Sequence, residues 1–150
     1  MSDAKHTKTP GAVKGGDGQY VFQLHEMPHI AAGTGYSSAE GLVVEGERIQ
    51  CGLITKKRGT GARPHFHPNE QWNFIPQGTL RVKIGDQPEQ LCGPGTLLYF
   101  PANMVHSTVA TADGDVIFFT AKDMSHGIIG MAADGTMAGP HVDPGCAAKQ

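Results

Sequence analysis

Residues 59–78 read GTGARPHFHPNEQWNFIPQG, and residues 95–106 read GTLLYFPANMVH. In the first stretch Gly59 and Gly78 bracket a run in which His65 and His67 stand two apart. A strand sends alternate side chains to alternate faces, so in an extended run both imidazoles point the same way, about 7 Å apart along the chain. Two imidazoles so placed can converge on one first-row metal ion, which favours neutral nitrogen donors. The pair alone is weak, because 8 histidines in 150 residues supply on the order of 0.4 such pairs by chance. Its weight comes from the surroundings, and these read as short extended runs closed by turns.

Outward from the quoted stretches the pattern repeats. Strands are expected at 20–25, 42–45, 49–56, 63–67, 71–76, 79–84, 96–100, 106–110 and 116–121, each β-branched or aromatic and each bounded by turn residues. The 21 Gly and 10 Pro make about a fifth of the chain, against roughly an eighth in average usage, with no repeating period. That excludes collagen and pure linker and marks many tight turns with few long helices. The expected fold class is all-β, a sandwich or barrel, because a closed or double sheet manages its own edges. Residues 1–18 lack periodicity and are expected as a flexible arm, with order beginning near Tyr20; residues 19–122 form the barrel, and 123–150 an irregular tail partly packed over it.

A net charge of −2, with basic and acidic residues interspersed, carries no footprint of nucleic-acid or anionic-membrane binding. The longest apolar stretches, 97–100 and 116–119, are far shorter than the ~20 residues that span a bilayer. Cys51, Cys92 and Cys146 are odd in number and form no C-x-x-C pair, which fits reduced thiols. With no secretion signal at the N-terminus, the expectation is a cytoplasmic protein with a small-molecule substrate and neither nucleic-acid nor membrane partners.

The two quoted blocks resemble the paired motifs of the cupin superfamily, G-x5-H-x-H-x3,4-E-x6-G and G-x5-P-x-G-x2-H-x3-N. The first matches at Gly59, His65, His67 and Gly78, with Gln71 where the family usually has glutamate; the second matches at Gly95, Pro101 and His106, with Asn103 and Ala110 in place of its glycine and asparagine. Asn103 is a mild change, since asparagine tolerates a left-handed turn. The resemblance implies a cupin-type double-stranded β-helix (jelly roll), a homodimer, and one divalent transition metal per chain (Fe, Mn, Ni or Zn) held by His65, His67, Gln71 and His106. Glu70 as the ligand would break the spacing on both sides.

Three imidazoles and a carboxamide are neutral, so they leave a divalent ion its full charge and favour an anionic ligand. The expected substrate is a small oxygenated organic anion: an enolate, catecholate, carboxylate or 2-oxo acid. The resemblance implies a metal-dependent enzyme, with a dioxygenase-type oxidoreductase ranked first, an isomerase, lyase or decarboxylase using the ion as a Lewis acid second, and a non-catalytic binding cupin third. A ligated carboxamide takes no proton, so Glu70 is the candidate acid/base. Asn73 and Ile75 share the parity of Gln71 and are candidate substrate-binding residues, with Ile54, Tyr99 and Arg63; Trp72 and Phe74 point the other way.

Overall fold

The computed structural model describes residues 6–146; the outer ends of the expected arm and tail, 1–5 and 147–150, lie outside them. The strands are β1 (Val13–Lys14), β2 (Ile30–Ala31), β3 (Glu40–Glu45), β4 (Ile49–Lys56), β5 (Thr60–Gly61), β6 (His65–Phe66), β7 (Gln71–Gln77), β8 (Leu80–Ile84), β9 (Gln90–Cys92), β10 (Leu97–Phe100), β11 (His106–Ala110), β12 (Val116–Asp123), β13 (Met131–Ala132) and β14 (His141–Val142). One sheet runs β1-β3-β4-β12-β7-β10, with β2 beside β3. The other runs β13-β6-β11-β5-β14, with β8 joining β11 to β9. No helix among the described residues is long and apolar enough to cross a membrane.

The inward faces follow from alternation. β4 buries Gln50, Ile54 and Lys56, β12 buries Val116, Phe118, Thr120 and Lys122, and β7 buries Gln71, Asn73 and Ile75. Cross-strand pairing sets these side by side, with Phe118 opposite Ile54, Thr120 opposite Asn73 and Lys122 opposite Gln71. The interior is therefore graded. Ile75, Leu80, Ala110 and Val116 fill one end, whereas His65, Gln71, His106 and Lys122 occupy the other.

Two expectations need correction. Residues 20–25 do not form a strand: a 3-10 turn covers Leu24–Glu26, and Tyr20 and Val21 are 75% and 82% exposed. Their apolar alternation lacks a partner edge, and without ladder hydrogen bonds no strand forms. Nor does order begin at Tyr20. The wholly buried Glu45 carboxylate accepts the backbone N–H groups of Lys8 at 2.8 Å and Thr9 at 2.9 Å, and β1 pairs in parallel with β3. A long-range anchor of this kind leaves no periodicity in the arm itself. At the other end, Ile128 is buried, while β13 pairs with β6 and β14 with β5.

The motif residues Gly78 and Gly95 have φ of +91° and +90°, and Asn103 has φ of 63°. They differ in surroundings: a Cβ on Gly78 would stand 2.5 Å from the Asp115 carbonyl oxygen, whereas one on Gly95 would meet nothing within 4 Å. Gly95→Ala is expected to cost only the left-handed strain, about 1–2 kcal/mol. Gly78→Ala adds a backbone collision, for a total of roughly 2–5 kcal/mol. Urea denaturation of the two variants measures the difference, and equal losses would contradict it.

Candidate metal centre

Register places the histidines. His106 opens β11 directly opposite His65 on β6, and their ring centroids lie 4.3 Å apart. His67 follows the end of β6, where its carbonyl accepts the backbone N–H of Asn103 at 2.8 Å. The left-handed Asn103 thus ties the second motif's loop to the first motif's histidine. The His67 ring centroid is 6.1 Å from that of His65 and 5.0 Å from that of His106. One ring nitrogen from each of the three lies within 4.8 Å of the others.

The tautomers are fixed by partners that only accept. Nδ1 of His65 faces the Arg63 carbonyl at 2.8 Å, Nδ1 of His67 the Asn69 carbonyl at 2.8 Å, and Nδ1 of His106 the Met104 carbonyl at 2.9 Å. Each Nδ1 must therefore carry the proton, which leaves each Nε2 a lone pair. His67 Nε2 is buried without a partner.

Gln71 is held as firmly. Its Nε2 donates to Asn73 Oδ1 at 2.8 Å and Thr120 Oγ1 at 3.0 Å, so both amide hydrogens are used and Oε1 is left buried and unpartnered. The carboxamide stands against His67 and favours that ring's protonated form. An orphaned buried acceptor costs about 1–3 kcal/mol, and a cation would recover it. Three imidazole nitrogens and this oxygen are a donor set that fits a first-row divalent ion.

The centre is strongly desolvated. Burial foremost, then the neighbouring His106, pushes His65 down to about 2. Burial and Lys122 lower His67 to about 4, and burial lowers His106 to about 3. All three rings are neutral at pH 7 and ready to ligate. Tyr36 stacks on His65 at 4.4 Å between centroids, and burial raises its phenol to about 12. Lys56 and Lys122 line the same cavity, and burial drives each amine down to about 7, with Lys122 adding to the fall at Lys56.

Of the expected residues, the structure brings together His65, His67, Gln71 and His106. Asn73 and Ile54 line the cavity with His65, Gln71 and His106. Ile75 is fully buried in the core and does not line it. Three others lie elsewhere. Glu70 is exposed, its backbone N–H donating to Asp123 Oδ2 at 2.8 Å, because it falls on the opposite parity from Gln71. Tyr99 packs at a tilt against Trp72 on the outer face, with ring centroids 4.5 Å apart. Arg63 donates to Gly35 O, Thr136 O and Gly139 O and pairs with Asp134, so it fastens the tail. Sequence reasoning missed Lys56 and Lys122. Lys56 has the parity of Ile54, and the strand expected at 116–121 stopped one residue short of Lys122, which has the parity of Thr120. Alternation pointed to both, but lysine is almost never expected inside.

The comparisons with known proteins bear on the whole. Residues 52–122 match the sequence profile of the cupin domain. Among curated proteins no sequence matches the chain. The polyketide cyclase RemF from Streptomyces resistomycificus superposes with a TM-score of 0.61 at 17% identity, over 69% of this chain and 78% of its own. KdgF from Halomonas sp. gives 0.60 at 19% identity, over 69% and 94%. A structure of oxalate decarboxylase gives 0.56 at 23% identity, over 68% of this chain but only 28% of that one. The profile match assigns a cupin domain to residues 52–122, and the superpositions show the double-stranded β-helix fold around it.

Proposed function

We propose that the chain is a metal-dependent cupin enzyme acting on a small oxygenated organic anion. The observation that carries this reading is the convergence of three proton-fixed imidazoles, one nitrogen of each within 4.8 Å of the others, with the oriented Gln71 carboxamide against His67. A bound divalent ion, one per chain, would supply Lewis acidity and, if it is iron, a means of engaging dioxygen. His65, His67, Gln71 and His106 would hold it and contribute no negative charge. The ligand is small, because the cavity is narrow and has Ile128 among its walls.

Dioxygenase chemistry is the first reading. The second, in which the ion acts as a Lewis acid for an isomerase, lyase or decarboxylase, draws support from Lys56 and Lys122. Their amines stand in the cavity with pKa values near 7, where a proton carrier is most useful, while Glu70 stands outside. A cytoplasmic setting is in keeping with three unpaired thiols. A homodimer would draw on the outer face of the first sheet, where Trp72, Phe74, Leu97, Tyr99 and Phe119 are adjacent and exposed.

Elemental analysis of purified protein is expected to show about one metal per chain. His106→Ala should lose it, and protein that stays empty after growth with metal would sink the site assignment. On loaded protein, an oxygen electrode separates the two reactions: consumption that tracks turnover supports the dioxygenase, and turnover under argon supports Lewis-acid chemistry.

Acid stability gives an independent check on the metal-free protein. The three histidines have folded pKa values below the unfolded value of about 6.5. Between about pH 6.5 and 4 the unfolded chain therefore binds protons that the folded one excludes, and stability falls as pH falls, by about 1.4 kcal/mol per pH unit for each group. Near pH 5, unfolding is expected to take up about three protons from this cluster, and His106→Ala should reduce the uptake by about one. An unchanged uptake would show that His106 is not held neutral.

A further inference from the structure

Lys56 and Lys122 are 3% and 6% exposed, and both line the cavity that holds His65, Gln71 and His106. They enter from opposite ends: Lys56 closes β4 opposite Val116 at the start of β12, whereas Lys122 lies near the end of β12 opposite Gln71. Lys56 Nζ donates to Thr108 O at 2.9 Å and Thr108 Oγ1 at 2.6 Å, and Lys122 Nζ donates to Ile128 O at 2.8 Å. Two ammonium groups carry six N–H donors, and these three bonds leave three unused. No aspartate or glutamate lines the cavity, and among the described residues neither lysine forms an ion pair.

Hydroxyl and carbonyl partners satisfy the direction of an N–H bond and leave its charge uncompensated. Burying one cation in that state is costly, and burying two beside a site built from neutral metal donors compounds the cost. A single carboxylate, once on the metal, still leaves Lys56 with no closer compensation than the Phe118 ring, 5.7 Å away, and Lys122 with only the outward-lying Asp123 carboxylate to offset burial. We propose that the ligand of this cavity is a dianion, a short dicarboxylate, with one carboxylate toward the histidine cluster and the charge of the other shared by Lys56 and Lys122. The inference rests on the reading of the barrel as a metal-dependent site for a small anion, and adds the number and placement of that anion's charges. The small cavity restricts the carbon chain to a few atoms.

Isothermal titration calorimetry with malonate, acetate and inorganic phosphate tests it, with metal content measured on every sample. Malonate is expected to bind at least about tenfold tighter than acetate. Lys56→Met and Lys122→Met should each weaken malonate at least about tenfold, shift acetate less than about threefold, and leave metal content unchanged. Should Lys122→Met unfold, Lys122→Gln keeps a donor for the Ile128 carbonyl and carries the same expectation. Equal affinity for malonate and acetate, malonate affinity untouched by the lysine variants, or tighter binding of phosphate than of malonate would each overturn the proposal. The two readings fail separately. One metal per chain without a malonate preference removes the dicarboxylate and leaves the metal centre. A lysine-dependent malonate preference in protein that takes no metal keeps the lysine assignment and removes the metal centre.

Discussion

Three hydrogen bonds from ring Nδ1–H groups to backbone carbonyls, at His65, His67 and His106, set what this barrel can hold. Each accepting carbonyl lies two residues from its histidine, so each ring is oriented by its own stretch of backbone and not by a distant side chain that might rotate away. The bonds fix the proton on Nδ1 and leave Nε2 as the ligating atom. The same economy governs Gln71, whose two amide hydrogens are spent on Asn73 and Thr120 so that only the oxygen remains. Three imidazole nitrogens are thereby oriented in advance, and preorganisation of this kind lowers the cost of binding a cation.

The sheets exist to keep these backbone stretches in register. His65 stands opposite His106 because β6 pairs with β11, and Gln71 stands between Asn73 and Thr120 because β7 pairs with β12. The loop joining β10 to β11 must turn sharply to deliver His106, and left-handed Asn103 makes that turn while bonding to the His67 carbonyl. The apolar end of the barrel supplies the cohesion that the polar end lacks. Ile75, Leu80, Val116 and Phe118 belong to one buried cluster drawn from both sheets, and that burial offsets the desolvation of the histidines and lysines beyond it.

Much of this was legible in the sequence where chemistry is local. β4 and β11 begin and end where residue alternation places them, and the two-residue spacing of His65 and His67 with the later His106 marked the three rings that cluster. Asn103 was legible as the residue that tolerates a left-handed turn, and it has φ of 63°. What was illegible depends on partners far along the chain. The arm through Thr9 carries no periodic signal because Glu45, thirty-six residues away, holds it. β5, β13 and β14 are two-residue strands whose pairing is set by neighbours and not by their own composition. The apolar residues at 20–25 resemble a strand and fail as one because, among the described residues, no strand pairs with them. Glu70, read as an acid/base, falls outside for want of one step of parity, and the same parity brings Lys56 and Lys122 in.

The segment after β12 ties these threads together. Asn69 Nδ2 donates to the carbonyls of Asp123, His126 and Gly127, and Gln50 Nε2 to those of Asp123 and His126. Both side chains leave a buried oxygen unpartnered in doing so. Thr9 Oγ1 accepts the Ile128 N–H at 2.7 Å, so the arm that Glu45 anchors also braces the wall of the cavity. Lys122 completes the arrangement from within by bonding the Ile128 carbonyl. The residue proposed to meet an anion is therefore the one that holds the cavity wall from inside. Lys122 has two further N–H donors, so it can meet a carboxylate while keeping that bond, and the ligand's second charge and the position of Ile128 are linked through a single Nζ atom.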